Sequence, residues 1–332
     1  MNTPRRTVGV VGLGAWGSAL ALHCARVGHT VIGWHRDEAF ISAARSTGQL
    51  RCGSIEAAIP NSLTVTAELK DTASCDLTIV ALPSAAWSEV LPRLPHFKIL
   101  ISATKGLERT TAQTPLTFAH SKLQIPQSAL CVISGPSFAS DLAAGHPVSV
   151  TAASCSEQTA TAVAEALSGA SLRVYTSTDP LGVELGGILK NVIAIACGAS
   201  DSLGFGPSAR AALIARGLAE MSRLAVAAGA DARTLSGLSG LGDLVMTATE
   251  DQSRNRQVGL RLGCGDKIGQ IIDALGSTAE GVSTAPLVQQ LAKRSGIETP
   301  ITDLVAKLIE GTIAPADLAN ALMTRPIKSE FD

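Results

Sequence analysis

The feature that most constrains the fold of this chain is a glycine motif near its N-terminal end. Residues 8–34 read VGVVGLGAWGSALALHCARVGHTVIGW, in which Gly12, Gly14 and Gly17 form the pattern G-x-G-x-x-G. The motif follows one β-branched run, opens a helical pattern and precedes a second β-branched run. In this context the glycines permit a tight turn and let a pyrophosphate approach the helix N-terminus. The pattern therefore predicts a dinucleotide-binding unit, with an incidental glycine turn as the alternative.

The first half of the chain alternates short β-branched segments with segments of helical period. Eight segments are predicted as strands: residues 7–13, 30–34, 63–66, 77–82, 98–104, 129–135, 147–153 and 171–177. Helical period is found between several of them, at residues 15–27, 37–46 and 156–168. Apolar strands that alternate with helices are typical of a parallel sheet covered on both faces.

The pattern changes after Thr178. Asp179 is expected to cap a helix that has Pro180 at its first position. Helical patterns then continue to the end of the chain, at residues 179–197, 207–229, 253–263, 266–275, 283–295, 300–310 and 315–323. We therefore predict an α/β fold in two domains: an N-terminal Rossmann-like doubly wound sheet at residues 1–178 and an all-helical C-terminal domain at residues 179–332.

Composition argues against several classes of protein. Hydrophobic residues make up 46% of the 332 residues, which is ample material for packed cores. The formal net charge is −1 and aromatic residues are only 3%, so we expect no nucleic-acid partner. The seven cysteines include no C-x-x-C pair and the histidines show no ligand spacing, which favours reduced thiols and no metal site.

The chain shows no signal for membrane insertion or export. The stretch RRTVGVVGLGAWGSALAL could be mistaken for a signal peptide, but its glycines interrupt a helical apolar region. No uninterrupted apolar run reaches the roughly 18 residues that a membrane span requires. We therefore expect a cytoplasmic protein.

The end of the second predicted strand bears on the choice of cofactor. The segment reads Trp34-His35-Arg36-Asp37, and Glu38 opens the next helical pattern. An acidic residue here would bind the ribose 2′-hydroxyl of NAD, whereas an arginine accommodates the 2′-phosphate of NADP. Asp37 more simply caps the following helix, and Arg36 could hold a 2′-phosphate. NADP(H), NAD(H) or both are the expected cofactors.

Three further loops follow predicted strands, and ligands bind at such carboxyl ends in open α/β sheets. They read ALPS at residues 81–84, ATKGLE at 103–108 and SGPSFA at 134–139. Lys105 could contact an anion or a carbonyl, although a surface lysine is the simpler interpretation. Ser137 and neighbouring backbone amides could face the cofactor.

A lysine and an asparagine interrupt the apolar stretch GGILKNVIAIA at residues 186–196. Lysine is rarely buried unless it is paired. Gly186 and Gly187 precede Lys190 by one turn, and each costs a helix roughly 1 kcal/mol relative to alanine. Something is therefore expected to approach the helix closely there. Either Lys190 extends along the helix to water, or it acts in a buried site.

A second polar cluster follows in the helical half. Asp243 and Thr247 are four residues apart and share a helix face. Ser253 resembles a helix N-cap, with Arg254 and Asn255 in the first turn, an arrangement that can bind phosphate or can be an ordinary solvated cap. A phosphate site, a lysine and a carboxylate beside a nicotinamide fit the reduction of a phosphorylated ketone.

Seven stretches, in order, carry a resemblance that is far more specific than the glycine motif. They are GLGAWGSALA, ATKGLE, SGPSFA, ELGGILKNVIAIACGASDSLGFG, AALIARGLAEM, GLSGLGDLVMTAT and SRNRQVGLRLG. Over nearly its whole length the chain resembles the bacterial NAD(P)-dependent glycerol-3-phosphate dehydrogenase family. The resemblance implies NAD(P)H-dependent, reversible reduction of dihydroxyacetone phosphate to sn-glycerol 3-phosphate, which supplies glycerophospholipid biosynthesis.

The resemblance also implies roles for individual residues. Lys190 is the implied catalytic proton donor and acceptor. The implied substrate-binding residues are Lys105, Gly135, Ser137, Lys190, Asn191, Asp243, Thr247, Ser253, Arg254 and Asn255. The implied cofactor-binding residues are Gly12, Gly14, Ala15, Trp16, Gly17, His35, Arg36, Lys105, Ala139, Arg254, Thr278 and Glu280. Large helical domains of this kind commonly bury surface in a dimer, so a homodimer is a further expectation.

Four differences from the family pattern and two rival functions accompany this interpretation. Asp141 stands where members usually have glutamate, and Ser202 stands where glycine is common. Ala15 stands where many members have serine, and residues 47–62 match poorly. A ketopantoate-type or β-hydroxyacid reductase would also use a lysine on such a helix, but a phosphate site at Ser253 favours a phosphorylated substrate. A non-catalytic dinucleotide sensor would leave the polar residues of the apolar helix unexplained.

Overall fold

The computed structural model describes residues 4–276, 279–324, 326, 327, 329 and 330. The chain divides into two compact units. The N-terminal unit comprises Met1–Glu108 and Gln113–Val183, and the helical unit comprises Arg109–Ala112 and Glu184–Asp332. The short segment joins the helical unit, in which the Arg294 Nη1 donates a hydrogen bond of 3.2 Å to the carbonyl oxygen of Thr111.

The N-terminal unit is built on an eight-stranded sheet with the order β10-β9-β8-β7-β6-β1-β2-β5. A separate two-stranded sheet pairs β3 with β4. The strands are β1 Thr7–Val11, β2 Thr30–Trp34, β3 Gln49–Cys52, β4 Ile55–Ala58, β5 Leu63–Thr66, β6 Leu77–Val80, β7 Ile99–Ser102, β8 Leu130–Ser134, β9 Val148–Ala153 and β10 Leu172–Ser177. All eight predicted strands are present.

Helices cover both faces of the large sheet. They are α1 Ala15–Arg26, α2 Glu38–Thr47, α3 Trp87–Val90, α4 Pro115–Leu123, α5 Ala139–Ala144 and α6 Glu157–Leu167. One buried apolar cluster joins the sheet to α1, α2 and α6, and a second joins it to α3 and α4. Successive strand residues take opposite sides, since Ile101 belongs to the first cluster and Leu100 to the second. The predicted doubly wound sheet is confirmed.

Two features of the N-terminal unit differ from a simple alternating pattern. β8 pairs with β9 in antiparallel fashion, so β9 and β10 run against the other strands. The connection from β8 to β9, residues 135–147, contains only the six-residue helix α5, whereas a parallel return usually crosses the sheet with a full helix. The poorly matching segment 47–62 contains the hairpin of β3 and β4, whose two-residue turn is Gly53-Ser54.

The helical unit carries the seven predicted helical segments with small shifts of their ends, and two short helices outside those segments, at residues 232–235 and 243–249. They are α7 Pro180–Ser202, α8 Gly206–Ala227, α9 Ala232–Leu235, α10 Asp243–Thr249, α11 Arg254–Gly263, α12 Ile268–Leu275, α13 Glu280–Ser295, α14 Pro300–Glu310 and α15 Leu318–Met323. Asp179 accepts a hydrogen bond of 2.9 Å from the Gly182 amide, which confirms it as the cap of α7. A π-helical turn at Leu238–Gly242 leads directly into α10.

Helix α7 is the core helix of its unit. Among the described residues it alone is long and apolar enough to cross a membrane by length and composition. However, 89% of its most apolar window is buried inside the structure. The chain therefore uses this apolar helix as packing surface for its neighbours.

Candidate active site

The three glycines of the N-terminal motif differ in the space around them. Gly12 has φ +104°, and a Cβ there would lie 2.8 Å from the carbonyl oxygen of Ala81. A Cβ on Gly17 would overlap the carbonyl oxygen of Gly12, so α1 approaches the preceding turn closely. A Cβ on Gly14 would meet nothing within 4 Å, which leaves open space at the start of α1.

The start of α1 also offers donors to an anion. Gly14 is the N-cap of α1 and provides no side-chain cap, so the first backbone amides of the helix are suited to bind a pyrophosphate. The indole Nε1 of Trp16 is buried without a hydrogen-bond partner in the described structure. A buried donor without a partner is costly, so a ligand acceptor there would relieve the cost. These residues fit a dinucleotide.

The hairpin of β3 and β4 lies beside this turn. A Cβ on Gly53, at the hairpin tip, would lie 3.7 Å from the Cβ of Ala15. The dipeptide Gly53-Ser54 is a sequence signal for a two-residue hairpin turn and could have revealed this element.

The loop after β2 contains the residues expected to contact the 2′ position of the cofactor ribose. The Asp37 carboxylate accepts a hydrogen bond of 2.9 Å from the Ala39 amide, which confirms it as the cap of α2. The side chain of Arg36 is exposed. The ring of His35 lies 4.4 Å from that of Phe40, and burial lowers the pKa of His35. Arg36 is therefore available to a 2′-phosphate.

Lys105 and the loop after β8 come together in the N-terminal unit. The Nζ of Lys105 donates a hydrogen bond of 3.2 Å to the carbonyl oxygen of Gly135, and the hydroxyl of Ser137 donates one of 3.0 Å to the same oxygen. A Cβ on Gly135 would lie 2.7 Å from the carbonyl oxygen of Ser149, so this position requires glycine. Ala139 begins α5 immediately afterwards.

Lys190 is buried and paired. It is 4% exposed, and its Nζ donates to the carboxylate of Asp243 and, at 2.6 Å, to the hydroxyl of Thr247. Thr247 in turn donates a hydrogen bond of 3.3 Å to Asp243. The alternative in which Lys190 extends to water is therefore wrong. The helix face predicted for Asp243 and Thr247 is turned toward this lysine.

The close approach expected at the glycines of α7 is made by protein backbone. A Cβ on Gly186 would lie 2.7 Å from the carbonyl oxygen of Ser239, in the π-helical turn before α10. Gly186 thus admits the turn that leads into α10, the helix of Asp243. The glycine contributes to the lysine site indirectly, by setting the distance between α7 and α10.

A second hydrogen-bond chain adjoins the lysine. The Nδ2 of Asn255 donates to the Oδ1 of Asn191 at 2.9 Å, and the Oδ1 of Asn255 accepts from the Gly281 amide at 2.9 Å. It links α7, α11 and the start of α13, where Glu280 is half-buried. Thr278, assigned to the cofactor by resemblance, lies outside the described residues.

The start of α11 has the predicted cap. The hydroxyl of Ser253 accepts a hydrogen bond of 3.2 Å from the Arg256 amide. Arg254 is exposed, whereas Asn255 and Arg256 are buried. Arg256 was given no role in the sequence analysis. Residues two apart in a helix lie on nearly opposite faces, so an outward Arg254 would have indicated that the Arg256 side chain faces inward.

Comparison with known proteins agrees with this geometry. The family model for the N-terminal part of NAD-dependent glycerol-3-phosphate dehydrogenase matches residues 7–160, and that for the C-terminal part matches residues 179–320. The chain belongs to the NAD-dependent glycerol-3-phosphate dehydrogenase family.

Individual members of the glycerol-3-phosphate dehydrogenase family are similar over nearly their whole length. A glycerol-3-phosphate dehydrogenase (NAD(P)+) from Halorhodospira halophila is 42% identical, over 98% of this chain and 99% of its own. One from Leptothrix cholodnii is 44% identical, over 97% and 98%. The crystal structure of a glycerol-3-phosphate dehydrogenase from Coxiella burnetii superposes with a TM-score of 0.91 at 36% identity, covering 97% of this chain and 99% of its own.

Proposed function

We propose that this chain catalyses the reversible reduction of dihydroxyacetone phosphate to sn-glycerol 3-phosphate with NAD(P)H, in the cytoplasm, and so supplies glycerophospholipid biosynthesis. The observation that carries the proposal is the buried Lys190 held by Asp243 and Thr247, in a chain of the glycerol-3-phosphate dehydrogenase family. The bound nicotinamide supplies a hydride to the carbonyl carbon of the substrate.

Lys190 is the proton donor for the developing alkoxide. An ammonium in a buried site stabilises negative charge far better than one in water, because the local dielectric constant is low. Asp243 and Thr247 fix the position of the Nζ, and the Asp243 carboxylate favours the charged form of the lysine. In the reverse direction the same Nζ accepts the proton of the secondary alcohol. We propose that Asn191, one residue further along α7, holds the substrate hydroxyl.

The phosphate group of the substrate is assigned to the start of α11. Ser253 caps the helix, and Arg254 provides an exposed guanidinium beside its first turn. A helix N-terminus and an arginine together favour a phosphate dianion. Asn255 would contact the substrate from the same turn. We propose further contacts to substrate from Lys105, Gly135 and Ser137 of the N-terminal unit.

The cofactor is assigned to the glycine turn and to residues beyond it. Donors at the start of α1 and the indole of Trp16 support binding of the pyrophosphate. The remaining proposed cofactor contacts are Ala15, His35, Arg36, Lys105, Ala139, Arg254, Thr278 and Glu280. Exposed Arg36 supports acceptance of NADP(H), so titration with both cofactors should not show a preference for NADH of about tenfold or more, which corresponds to about 1.4 kcal/mol.

The wider organisation is proposed on the same basis. Residues 1–178 would form the dinucleotide-binding domain and residues 179–332 the catalytic domain. A homodimer without membrane insertion is the proposed state of the protein, and burial of most of α7 supports the second part.

A single assay separates this function from its rivals. Spectrophotometric oxidation of NAD(P)H should proceed with dihydroxyacetone phosphate and not with ketopantoate or a β-keto acid. A ketopantoate-type reductase would reverse that preference. A dinucleotide sensor would bind NAD(P)H and oxidise it with none of these substrates.

A further inference from the structure

Arg256 is a buried arginine with two carboxylate partners. Its side chain is 9% exposed, its Nη1 donates to the Oδ2 of Asp201, and its Nε donates to the Oδ1 of Asp251 at 3.3 Å. The Asp201 side chain is 11% exposed, whereas that of Asp251 is 78% exposed. Asp201 is therefore the partner that compensates the buried guanidinium, since exposed pairs contribute little.

Asp201 ties three helices together. It lies in the last turn of α7 and accepts on the same oxygen from Arg256 of α11 and, at 2.7 Å, from Arg210 of α8. With two arginines beside it, its charge is compensated even inside the unit.

The backbones of α7 and α11 are in contact where this ion pair forms. A Cβ on Gly198 would overlap the carbonyl oxygen of Arg256, and a Cβ on Gly259 would overlap that of Ile195. Helices this close transmit a shift of one to the other, because packed interiors deform little. The orientation of α11 is thus set against α7, the helix that carries Lys190.

Two neighbouring residues of α11 bond to α7 at separate positions. Asn255 bonds to Asn191, and Arg256 bonds to Asp201. These two partners are ten residues apart on α7, or about 15 Å at a rise of 1.5 Å per residue. Two contacts that far apart fix both the position and the rotation of the first turn of α11. Arg254, in that turn, is directed outward.

We propose that Arg256, through its ion pair with Asp201, is a positioning residue that holds the first turn of α11 so that Arg254 meets the phosphate group of the substrate. In this proposal the Arg256 guanidinium is neutralised by Asp201, and Arg256 does not contact the substrate. This inference rests on the proposed function, which assigns the phosphate group of the substrate to the start of α11.

The test compares Arg256→Met with Arg254→Ala and with the double variant, by calorimetric titration of glycerol 3-phosphate and by steady-state kinetics. Arg256→Met should raise the dissociation constant of glycerol 3-phosphate about tenfold or more, the equivalent of a charge-assisted hydrogen bond. The KM for dihydroxyacetone phosphate should rise in parallel, while kcat changes less than about threefold. The double variant should bind glycerol 3-phosphate less than about twofold more weakly than Arg254→Ala alone. Arg256 acts through Arg254, so its loss matters little once Arg254 is gone.

Arg261→Met is the matched control. Arg261 lies in the last turn of α11 and forms a partly exposed ion pair of 2.8 Å with Asp266, so its loss should leave glycerol 3-phosphate affinity unchanged. If Arg256→Met does not fold, Arg256→Lys replaces it, since lysine keeps the charge but lacks the planar fork. The same criteria then apply.

Unchanged glycerol 3-phosphate affinity, or full additivity with Arg254→Ala, would overturn the inference. The wild-type protein could bind glycerol 3-phosphate, with affinity lost in Arg256→Met, and still not turn over dihydroxyacetone phosphate. That result would contradict the proposed activity alone. A wild-type chain that does neither would overturn both.

Discussion

Lys190 and Asp243 form an ion pair inside the helical unit, where their side chains are 5% and 0% exposed. The two residues are 53 positions apart and lie on different helices, α7 and α10. Burial of a charge is costly unless a partner compensates it, so each residue needs the other as its partner. Packing alone does not account for a charged residue at either position. The arrangement presents a fixed ammonium in a site of low dielectric constant.

Substitution of the lysine should remove the chemistry and leave the cofactor site. Lys190→Ala is expected to lower kcat at least about a hundredfold, because general acid catalysis contributes about 10²–10⁴-fold. The dissociation constant of NAD(P)H, measured by fluorescence titration, should stay within about twofold since the glycine turn lies in the N-terminal unit. Activity retained within about tenfold of wild type would exclude Lys190 as the proton donor.

The buried pair should show strong coupling in stability. Asp243→Leu or Lys190→Met alone should lower the free energy of unfolding by about 3–5 kcal/mol, because each leaves a buried charge without this partner. The double variant should be less destabilised than the sum of the two, since neither charge remains. Urea unfolding of the four proteins measures the coupling. Additive effects would mean that the two charges are compensated independently.

Loss of the exposed arginine should affect substrate affinity most. Arg254→Ala is expected to weaken binding of dihydroxyacetone phosphate by about 1.5–3 kcal/mol, the contribution of a charge-assisted hydrogen bond. Steady-state kinetics measures this as a rise in KM of about 10- to 150-fold. Arg261→Ala, on the opposite end of α11, serves as the control. An unchanged KM for Arg254→Ala would place the phosphate elsewhere.

Glycine substitutions can separate folding from cofactor binding. A Cβ on Gly14 meets no protein atom within 4 Å, so Gly14→Ala should fold normally but obstruct the pyrophosphate and weaken NAD(P)H binding about tenfold or more. Gly269→Ala is the control because Gly269 lies in α12 with equally open space. That change should stabilise the helix by up to about 1 kcal/mol and leave cofactor affinity as in wild type. Equal NAD(P)H affinity in both variants would argue against the glycine turn as the pyrophosphate site.

The packing of α1 on α6 should depend on pH through His23. The Nε2 of His23 lies 2.7 Å from the carbonyl oxygen of Leu167, and burial lowers the pKa of His23 from its ordinary value of 6.5. Below pH 6.5 the unfolded chain binds a proton that the folded chain does not, so stability falls as the pH drops from 6.5 toward the folded pKa. The slope for this one group is at most about 1.4 kcal/mol per pH unit.

His23→Gln keeps a donor for Leu167 without a titrating ring. Thermal or urea unfolding between pH 7 and about pH 5 should therefore show a flatter pH dependence for this variant than for wild type. Identical slopes in the two proteins would show that His23 does not contribute to the acid sensitivity of the fold.

Local patterns in the sequence predicted much of this structure. The glycine turn, the caps at Asp37 and Ser253 and the strand ends depend on neighbouring residues only, so they can be read directly from the chain. The sequence also indicated that Lys190 lies in an unusual environment. It did not show which residues fill the space at Gly186, because the π-helical turn that does so is about fifty residues away in the sequence.

Relations between distant segments account for what the sequence did not predict. The reversal of β9 depends on how the connection from β8 packs, which the residues of either strand do not specify. The ion pair of Arg256 with Asp201 joins residues 55 positions apart, and no local pattern of either residue specifies the other.

The most direct test is the rate of NAD(P)H oxidation by the purified protein with dihydroxyacetone phosphate, measured beside Lys190→Ala. The account predicts rapid oxidation by wild type, formation of sn-glycerol 3-phosphate in equal amount, and loss of at least about a hundredfold in the variant. Absence of oxidation by wild type with this substrate, or equal rates for the two proteins, would contradict it.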